Sequence, residues 1–236
     1  MRSYLQHVVL SAAAVAALAL TSSISSGGLA LAADKPDLTP PVVPPAIQVP
    51  PGNTAYILGH ATGTQGYICL PLSDGTYAWS KTGAVTGPSN NSRPDAILLT
   101  DKMRENITHY LSPNPQETSP NPSENGQPRP TWQSVLDNST VWGNKLGSIN
   151  AGTDPSCPNT GAISCLLLQV VGEQAGPRGG THLSVATYIQ RLNTNGGSAP
   201  PSPQSGCAEC CAVSTDVGNQ LLVPYTADYW FYKASQ

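Results

Sequence analysis

Residues 184–200 read SVATYIQRLNTNGGSAP, and residues 223–232 read VPYTADYWFY. Both stretches contain runs of β-branched and aromatic residues, the composition typical of strands, and a Gly-Gly pair and a proline-rich break separate them. Strand, turn and strand in this order predict a β-domain. The first stretch also carries a polar string, Gln190-Arg191-Leu192-Asn193-Thr194, which leads into the turn at Gly196.

The rest of the chain repeats this pattern of short strands and turns. Further β-prone runs occupy residues 56–58, 67–70, 76–79, 96–100, 131–135, 141–146 and 164–171. Asp74-Gly75, between two of these runs, is a hairpin signal, and helical periodicity is almost lacking. We therefore predict an all-β fold, a single β-sandwich or β-barrel-like domain with long Pro-rich loops.

Composition divides the chain into three parts. Residues 1–32 have a basic start and a short apolar run and end in Ala30-Leu31-Ala32, which indicates a secretory signal peptide. Residues 33–52 are rich in proline, so we interpret them as a linker; an ordered arm packed on the domain is the alternative. Residues 53–236 form the single β-rich domain, and the prolines of residues 112–130 predict a disordered insertion in it.

Export to an oxidising compartment makes disulfides the expected state of the six cysteines, Cys69, Cys157, Cys165, Cys207, Cys210 and Cys211. Six cysteines allow fifteen pairings, so the connectivity stays open. Proximity favours Cys157 with Cys165, and Cys69 would then reach the cluster at residues 207–211. Inside that cluster, Cys207–Cys210 or Cys207–Cys211 is favoured over a strained bridge between neighbours. We do not expect zinc, because a second Cys-x-x-Cys or a histidine pair at finger spacing is missing.

Charge and hydropathy restrict the partners. Charged residues make up 11% of the chain and its formal net charge is −3, so no nucleic acid partner is expected. No transmembrane segment is expected after signal cleavage. Three sequons, at Asn90, Asn106 and Asn138, are glycosylation candidates that would have to face solvent.

No catalytic motif stands out in the sequence. The histidines beyond the signal peptide lack the spacing of metal ligands, so we predict no metal and no cofactor. A Gly-x-Ser-x-Gly elbow is missing, and the carboxylates form no recognisable pair. Whether the protein is an enzyme, and its oligomeric state, stay open at this point.

The polar string is the sharpest candidate site. Strand alternation puts Gln190 on one face and Arg191 with Asn193 on the other, where an aromatic ring could stack on a sugar. The candidate ligand-binding residues are Gln190, Arg191, Asn193, Trp132 and His109. The alternative is structural: Arg191 pairs with Asp228 or Glu173, and the asparagine turns the chain.

Several motifs occur in an order that resembles a known family. They are Tyr67-Ile68-Cys69, His109-Tyr110, Pro130-Thr131-Trp132, residues 189–194 and residues 224–229. Together they resemble DUF3455, a secreted family of fungi and bacteria of unknown function, over roughly residues 56–232. Some members carry a malate dehydrogenase label, which we interpret as a transferred error because this chain lacks any Gly-x-Gly turn for a dinucleotide.

Two departures from the family pattern concern the same region. The proline insertion separates His109 from Trp132, and Asp137-Asn138-Ser139 stands where members usually have Asp-Gly-Ser. Taken together, the sequence predicts a secreted glycoprotein with disulfide bonds, extracellular or in the cell wall. We predict a noncatalytic binding module with cell-wall polysaccharide as its candidate partner; an extracellular hydrolase acting on polysaccharide or ester is the alternative.

Overall fold

The computed structural model describes residues 38–80, 94–101, 106–112, 129–201 and 210–235. These residues contain β-strands and two short 3-10 helices, Pro45–Ile47 and Ser214–Asp216, but no α-helix. The strands are β1 (Asn53–Pro71), β2 (Tyr77–Ser80), β3 (Pro94–Thr100), β4 (Asn106–Ser112), β5 (Arg129–Ser134), β6 (Thr140–Ile149), β7 (Cys165–Gln174), β8 (Ala186–Gly196) and β9 (Gln220–Ala234). The predicted all-β class is confirmed.

All the strands but β2 form a closed antiparallel barrel. Along the sheet, β1 is followed by β3, β4, β5, β6, β7, β8 and β9, and β9 pairs back with β1. The β1–β9 pairing runs from Asn53 opposite Ala234 to Ile68 opposite Gln220. β2 pairs with the end of β1 in a hairpin whose turn contains Asp74-Gly75, as the sequence predicted.

β1 and β9 are longer than the sequence indicated. The predicted runs 56–58 and 67–70 belong to one strand of 19 residues. The apolar run 221–223 and the aromatic run 229–232 likewise lie in one strand, β9. Pro224 does not end β9, since it lies opposite Thr64 of β1 and its carbonyl accepts the amide hydrogen of Gly197.

Alternate side chains of the strands fill the barrel. The buried core includes Ile57, Leu98, Ile107, Trp132, Val141, Leu168, Ile189, Tyr225, Tyr229 and Phe231. Small residues of β1 let the neighbouring strand β3 approach closely. A Cβ at Gly63 would collide with the backbone of Asp95 and Ala96, and a Cβ at Gly59 would lie 3.0 Å from the Cβ of Leu98.

A second apolar cluster lies on the outer face of the barrel. It contains Ile47, Cys157, Cys165, Leu167, Leu192, Trp230 and Tyr232, with Leu38, Val43 and Val49 packed against it. Residues 38–49 therefore form an arm along the barrel, and Ile47 is fully buried. A Cβ at Gly147 of β6 would collide with the carbonyl oxygen of Ala46, so the arm lies directly on the strand there.

This arm is the described part of the Pro-rich segment. Its docking corresponds to the ordered-arm alternative rather than to a free linker. The Pro-rich insertion predicted at residues 112–130 lies mostly outside the described residues; β4 extends to Ser112 and β5 begins at Arg129.

Two disulfides are described. Cys157 bonds with Cys165, as predicted, and Cys69 bonds with Cys211 of the downstream cluster. The alternative pairing of Cys207 with Cys211 is therefore wrong, and Cys207 lies outside the described residues. None of the described cysteines is a free thiol.

Candidate binding site

Two of the candidate residues, His109 and Trp132, meet inside the barrel. They lie opposite each other on β4 and β5, and opposed residues of an antiparallel pair project from the same face. Their rings stack with centroids 4.3 Å apart, and Tyr229 of β9 lies 5.2 Å from the imidazole. A Cβ at Gly143 would lie 3.0 Å from the Trp132 ring, so this glycine leaves room for the indole.

The His109 ring is held neutral. Its Nδ1 lies 2.9 Å from the carbonyl oxygen of Thr131, so Nδ1–H donates there. Burial lowers the pKa of His109 to about 3; the Thr131 carbonyl opposes this shift, and the nearby positive charge of Arg191 adds to it. His109 is therefore an uncharged stacking group at neutral pH.

Arg191 points into the same interior from β8. It lies opposite Leu166 of β7 and Tyr229 of β9, which both belong to the interior core. Its Nε and Nη2 donate to one acceptor, the carbonyl oxygen of Ser164, at 3.2 and 2.7 Å. Arg191 is only half-buried, and no carboxylate in the described part of the chain forms an ion pair with it.

Two buried tyrosines lie close to the Arg191 guanidinium. Burial raises the pKa of Tyr67 and of Tyr225, and the Arg191 charge acts on both groups in the opposite direction. The Tyr225 hydroxyl lies 3.4 Å from that of Tyr229, and the Tyr67 hydroxyl donates to the carbonyl oxygen of Gly197. We call Tyr67, His109, Trp132, Arg191, Tyr225 and Tyr229 the interior polar cluster.

The Gly-Gly turn at the end of β8 lies against the interior polar cluster. Gly196 and Gly197 both have positive φ, 72° and 80°, where side chains with a Cβ are strained. A Cβ at Gly197 would also lie 2.9 Å from the Cβ of Tyr225 and 3.1 Å from Ile163. Glycine is needed here both for the turn and for the close approach to Tyr225.

Gln190 is not part of the interior polar cluster. Its side chain is buried on the outer face, where Nε2 donates to the carbonyl oxygen of Ile47 at 2.6 Å. Its Oε1 accepts the hydroxyl hydrogen of Tyr232. In this conformation, Gln190 fastens the arm to the barrel.

Asn193 is also separated from Arg191. The β8–β9 register shifts between Leu192 and Asn195, and Asn193 has a φ of 49° and is exposed. Its Nδ2 donates to Asp228 at 3.2 Å. The expected shared face of Arg191 and Asn193 is therefore wrong because a bulge interrupts the alternation. The alternative pairing of Arg191 with Asp228 or Glu173 is absent among the described residues.

Asp228 also belongs to a polar group with His60 and Asp101, which the sequence did not reveal. His60 of β1 lies between two carboxylates on the outer face, with Nδ1 2.6 Å from Asp228 and Nε2 3.2 Å from Asp101. Burial lowers the pKa of His60, but its hydrogen bonds and charge interactions with Asp228 and Asp101 outweigh this, so the pKa is raised. Both ring nitrogens are occupied, which favours the protonated ring and leaves no nitrogen free to act as a base.

The structure explains the departure from the Asp-Gly-Ser pattern. Asn138 has a φ of 60°, a conformation that glycine adopts most easily and asparagine next. Asp137 accepts hydrogen bonds from Ser139 and from the backbone amide of His182, and thus joins two loops. Asn138 and Asn106 are both exposed, as glycosylation acceptors must be; Asn90 lies outside the described residues.

The described residues include no group of three or more His, Cys, Asp or Glu side chains that could hold a metal ion. No helix in the described part of the chain is both long and apolar enough to cross a membrane.

Comparisons with known proteins place the chain in a family without adding an activity. No curated protein and no solved structure matches it. A family model described as "Protein of unknown function (DUF3455)" matches residues 50–233, a range that begins directly after the arm and covers every strand of the barrel but for the last residue of β9. The chain therefore belongs to the DUF3455 family.

Proposed function

We propose that this protein is a noncatalytic extracellular binding module and that its ligand is a cell-wall polysaccharide. The proposal depends mainly on Arg191. Arg191 is half-buried on a strand of the closed barrel, and its guanidinium has hydrogen-bond donors that no described residue uses. Such donors, placed on rigid strands, are suited to hold a polar ligand in a fixed orientation.

The disulfides and the amino-terminal sequence support an extracellular location. A bridge between Cys69 and Cys211 joins segments 142 residues apart, and such bonds persist in oxidising compartments. Residues 1–32 have the composition of a secretory signal peptide. The exposed acceptors Asn106 and Asn138 agree with passage through a glycosylating pathway.

The described carboxylates favour binding over hydrolysis. Glycoside cleavage needs two carboxyl groups on either side of the bond. Asp216, the only buried carboxylate in the described part of the chain, accepts hydrogen bonds from the backbone amides of Ala212 and Val213. The pair Asp101 and Asp228 is occupied by the His60 ring between them.

The test is retention on insoluble polysaccharide. The secreted protein is mixed with cellulose, chitin and pectin particles, and the bound fraction is measured after sedimentation. We expect retention on at least one polymer, and a loss of retention in Arg191→Ala. Arg178→Ala is the matched control, since Arg178 is an exposed arginine in the loop between β7 and β8. No retention on any polymer, or equal retention of both variants, would overturn the proposal.

A further inference from the structure

The guanidinium of Arg191 presents one unused edge. Arginine has five N–H donors in a planar fork. Nε and one hydrogen of Nη2 are directed at the single carbonyl oxygen of Ser164. The edge formed by Nη1 and the second hydrogen of Nη2 has no acceptor among the described residues. Two parallel N–H groups on one edge match the two oxygens of a carboxylate.

The positive charge of Arg191 also has no negative charge near it in the described part of the chain. The Arg191 charge acts on His109, which is neutral, and on the hydroxyls of Tyr67 and Tyr225, whose pKa values are raised by burial. No described carboxylate lies within ion-pairing distance of Arg191. A cation that is partly removed from water is normally paired, so an anion bound here would restore that balance.

The surroundings limit the size of the group that can bind. The inner side of the guanidinium faces the rings of Tyr67, Tyr225 and Tyr229. Each of these rings is no more than 2% exposed, so none of them offers a stacking surface to a ligand. Arg191 itself is half-buried, so a ligand can reach it only through the part of the side chain that stays exposed. A small monoanionic group that projects from a larger molecule fits this better than a dianion, which would need a second cation.

We propose that Arg191 binds the carboxylate of a uronic acid residue in an acidic polysaccharide. This inference rests on the proposed function, because it specifies the sugar that the same site recognises. The carboxylate accepts two hydrogen bonds from the Nη1–Nη2 edge, while Ser164 holds the other edge in place. The same chemistry would admit a free organic acid, so the experiment includes both sources.

The test measures binding of small soluble probes to the full secreted protein by calorimetry. The probes are oligogalacturonate, the neutral oligomer of galactose with the same length, and acetate. We expect oligogalacturonate to bind at least about tenfold more tightly than the neutral oligomer, which corresponds to about 1.4 kcal/mol. Arg191→Gln should lose this preference, and Arg178→Gln should keep it. Arg191→Lys, which retains the charge but not the paired donors, should bind at an intermediate level.

Each outcome decides a different point. Equal binding of charged and neutral oligomers, or unchanged binding by Arg191→Gln, overturns the carboxylate site. Acetate binding as tight as that of oligogalacturonate supports the carboxylate site but identifies a free acid as its source. If Arg191→Gln does not fold, the comparison of the two oligomers on the native protein still decides. Retention on neutral polymers without a charge preference would leave the proposed function standing while this inference fails.

Discussion

Docking of the arm should stabilise the domain, and one substitution can test this. Ile47 is fully buried against the outer cluster, and Val42, five residues earlier in the same arm, is 95% exposed. Replacing Ile47 with alanine removes its buried methyl and methylene groups and leaves a cavity beside Trp230 and Tyr232. Buried isoleucine-to-alanine changes cost about 2–5 kcal/mol, and we expect about 3 kcal/mol here.

The expected shift is large enough for a routine measurement. For a domain of this size, 1 kcal/mol moves the melting temperature by about 2–4 °C, so Ile47→Ala should melt roughly 6–12 °C lower. Val42→Ala is the matched control and should change the free energy of unfolding by less than about 0.5 kcal/mol. Both variants are measured by urea denaturation and by thermal melting, with the disulfides intact.

The result can refute the docking of the arm. If the two variants unfold at the same urea concentration, Ile47 is not buried in solution and the Pro-rich segment behaves as the linker that its composition suggested. If only Ile47→Ala is destabilised, the arm is part of the domain. Removal of the arm would then also expose Gln190, which now donates to Ile47.

Three further substitutions test the turn, the surface histidine and the loop after β5. Gly197→Ala should destabilise the protein by about 2–4 kcal/mol, because it combines a positive φ with a close approach to Tyr225. Gly218 also has a positive φ but open space around it, so Gly218→Ala should lower the free energy of unfolding by only about 1 kcal/mol. His60→Gln should cost stability at pH 5 and little at pH 9. The pKa of His60 is raised in the folded state, so its contribution is complete below the unfolded pKa of about 6.5 and is lost as pH rises through the folded value. Asn138→Gly should fold at least as stably as the native protein, whereas Asn138→Ala should lose about 1 kcal/mol.

Each of these three predictions has an outcome that would contradict it. Equal losses for Gly197→Ala and Gly218→Ala would show that the approach to Tyr225 is not tight. A His60→Gln penalty that grows with pH would contradict the ion pairs with Asp101 and Asp228. Both Asn138 variants lack the sequon, so a difference between them reports the backbone and not a glycan; no difference would argue against a positive φ at this position.

Most of the predictions from sequence that succeeded concern local features. The Asp74-Gly75 hairpin and the Cys157–Cys165 bridge were predicted correctly because each involves residues close together in the chain. The all-β class was also accessible, since strand and turn composition recur along the chain.

The candidate site was predicted only in part. The polar string of β8 contains a residue that faces inward, Arg191, and one that supports the arm, Gln190. Alternation alone would have placed Arg191 and Asn193 together, but the register shift after Leu192 separates them. No pattern in the sequence indicates that shift, because a bulge depends on how two strands pair.

The sequence by itself therefore determined the strands, the turns, the cysteines that form bridges, and the family that its motifs already indicated. Closure of the barrel, the docking of the arm on Trp230 and Tyr232, and the meeting of His60 with Asp228 were decided by the tertiary structure. The physical reason is distance along the chain. His60 and Asp228 are 168 residues apart, and only the pairing of the first barrel strand with the last brings their side chains within hydrogen-bond distance.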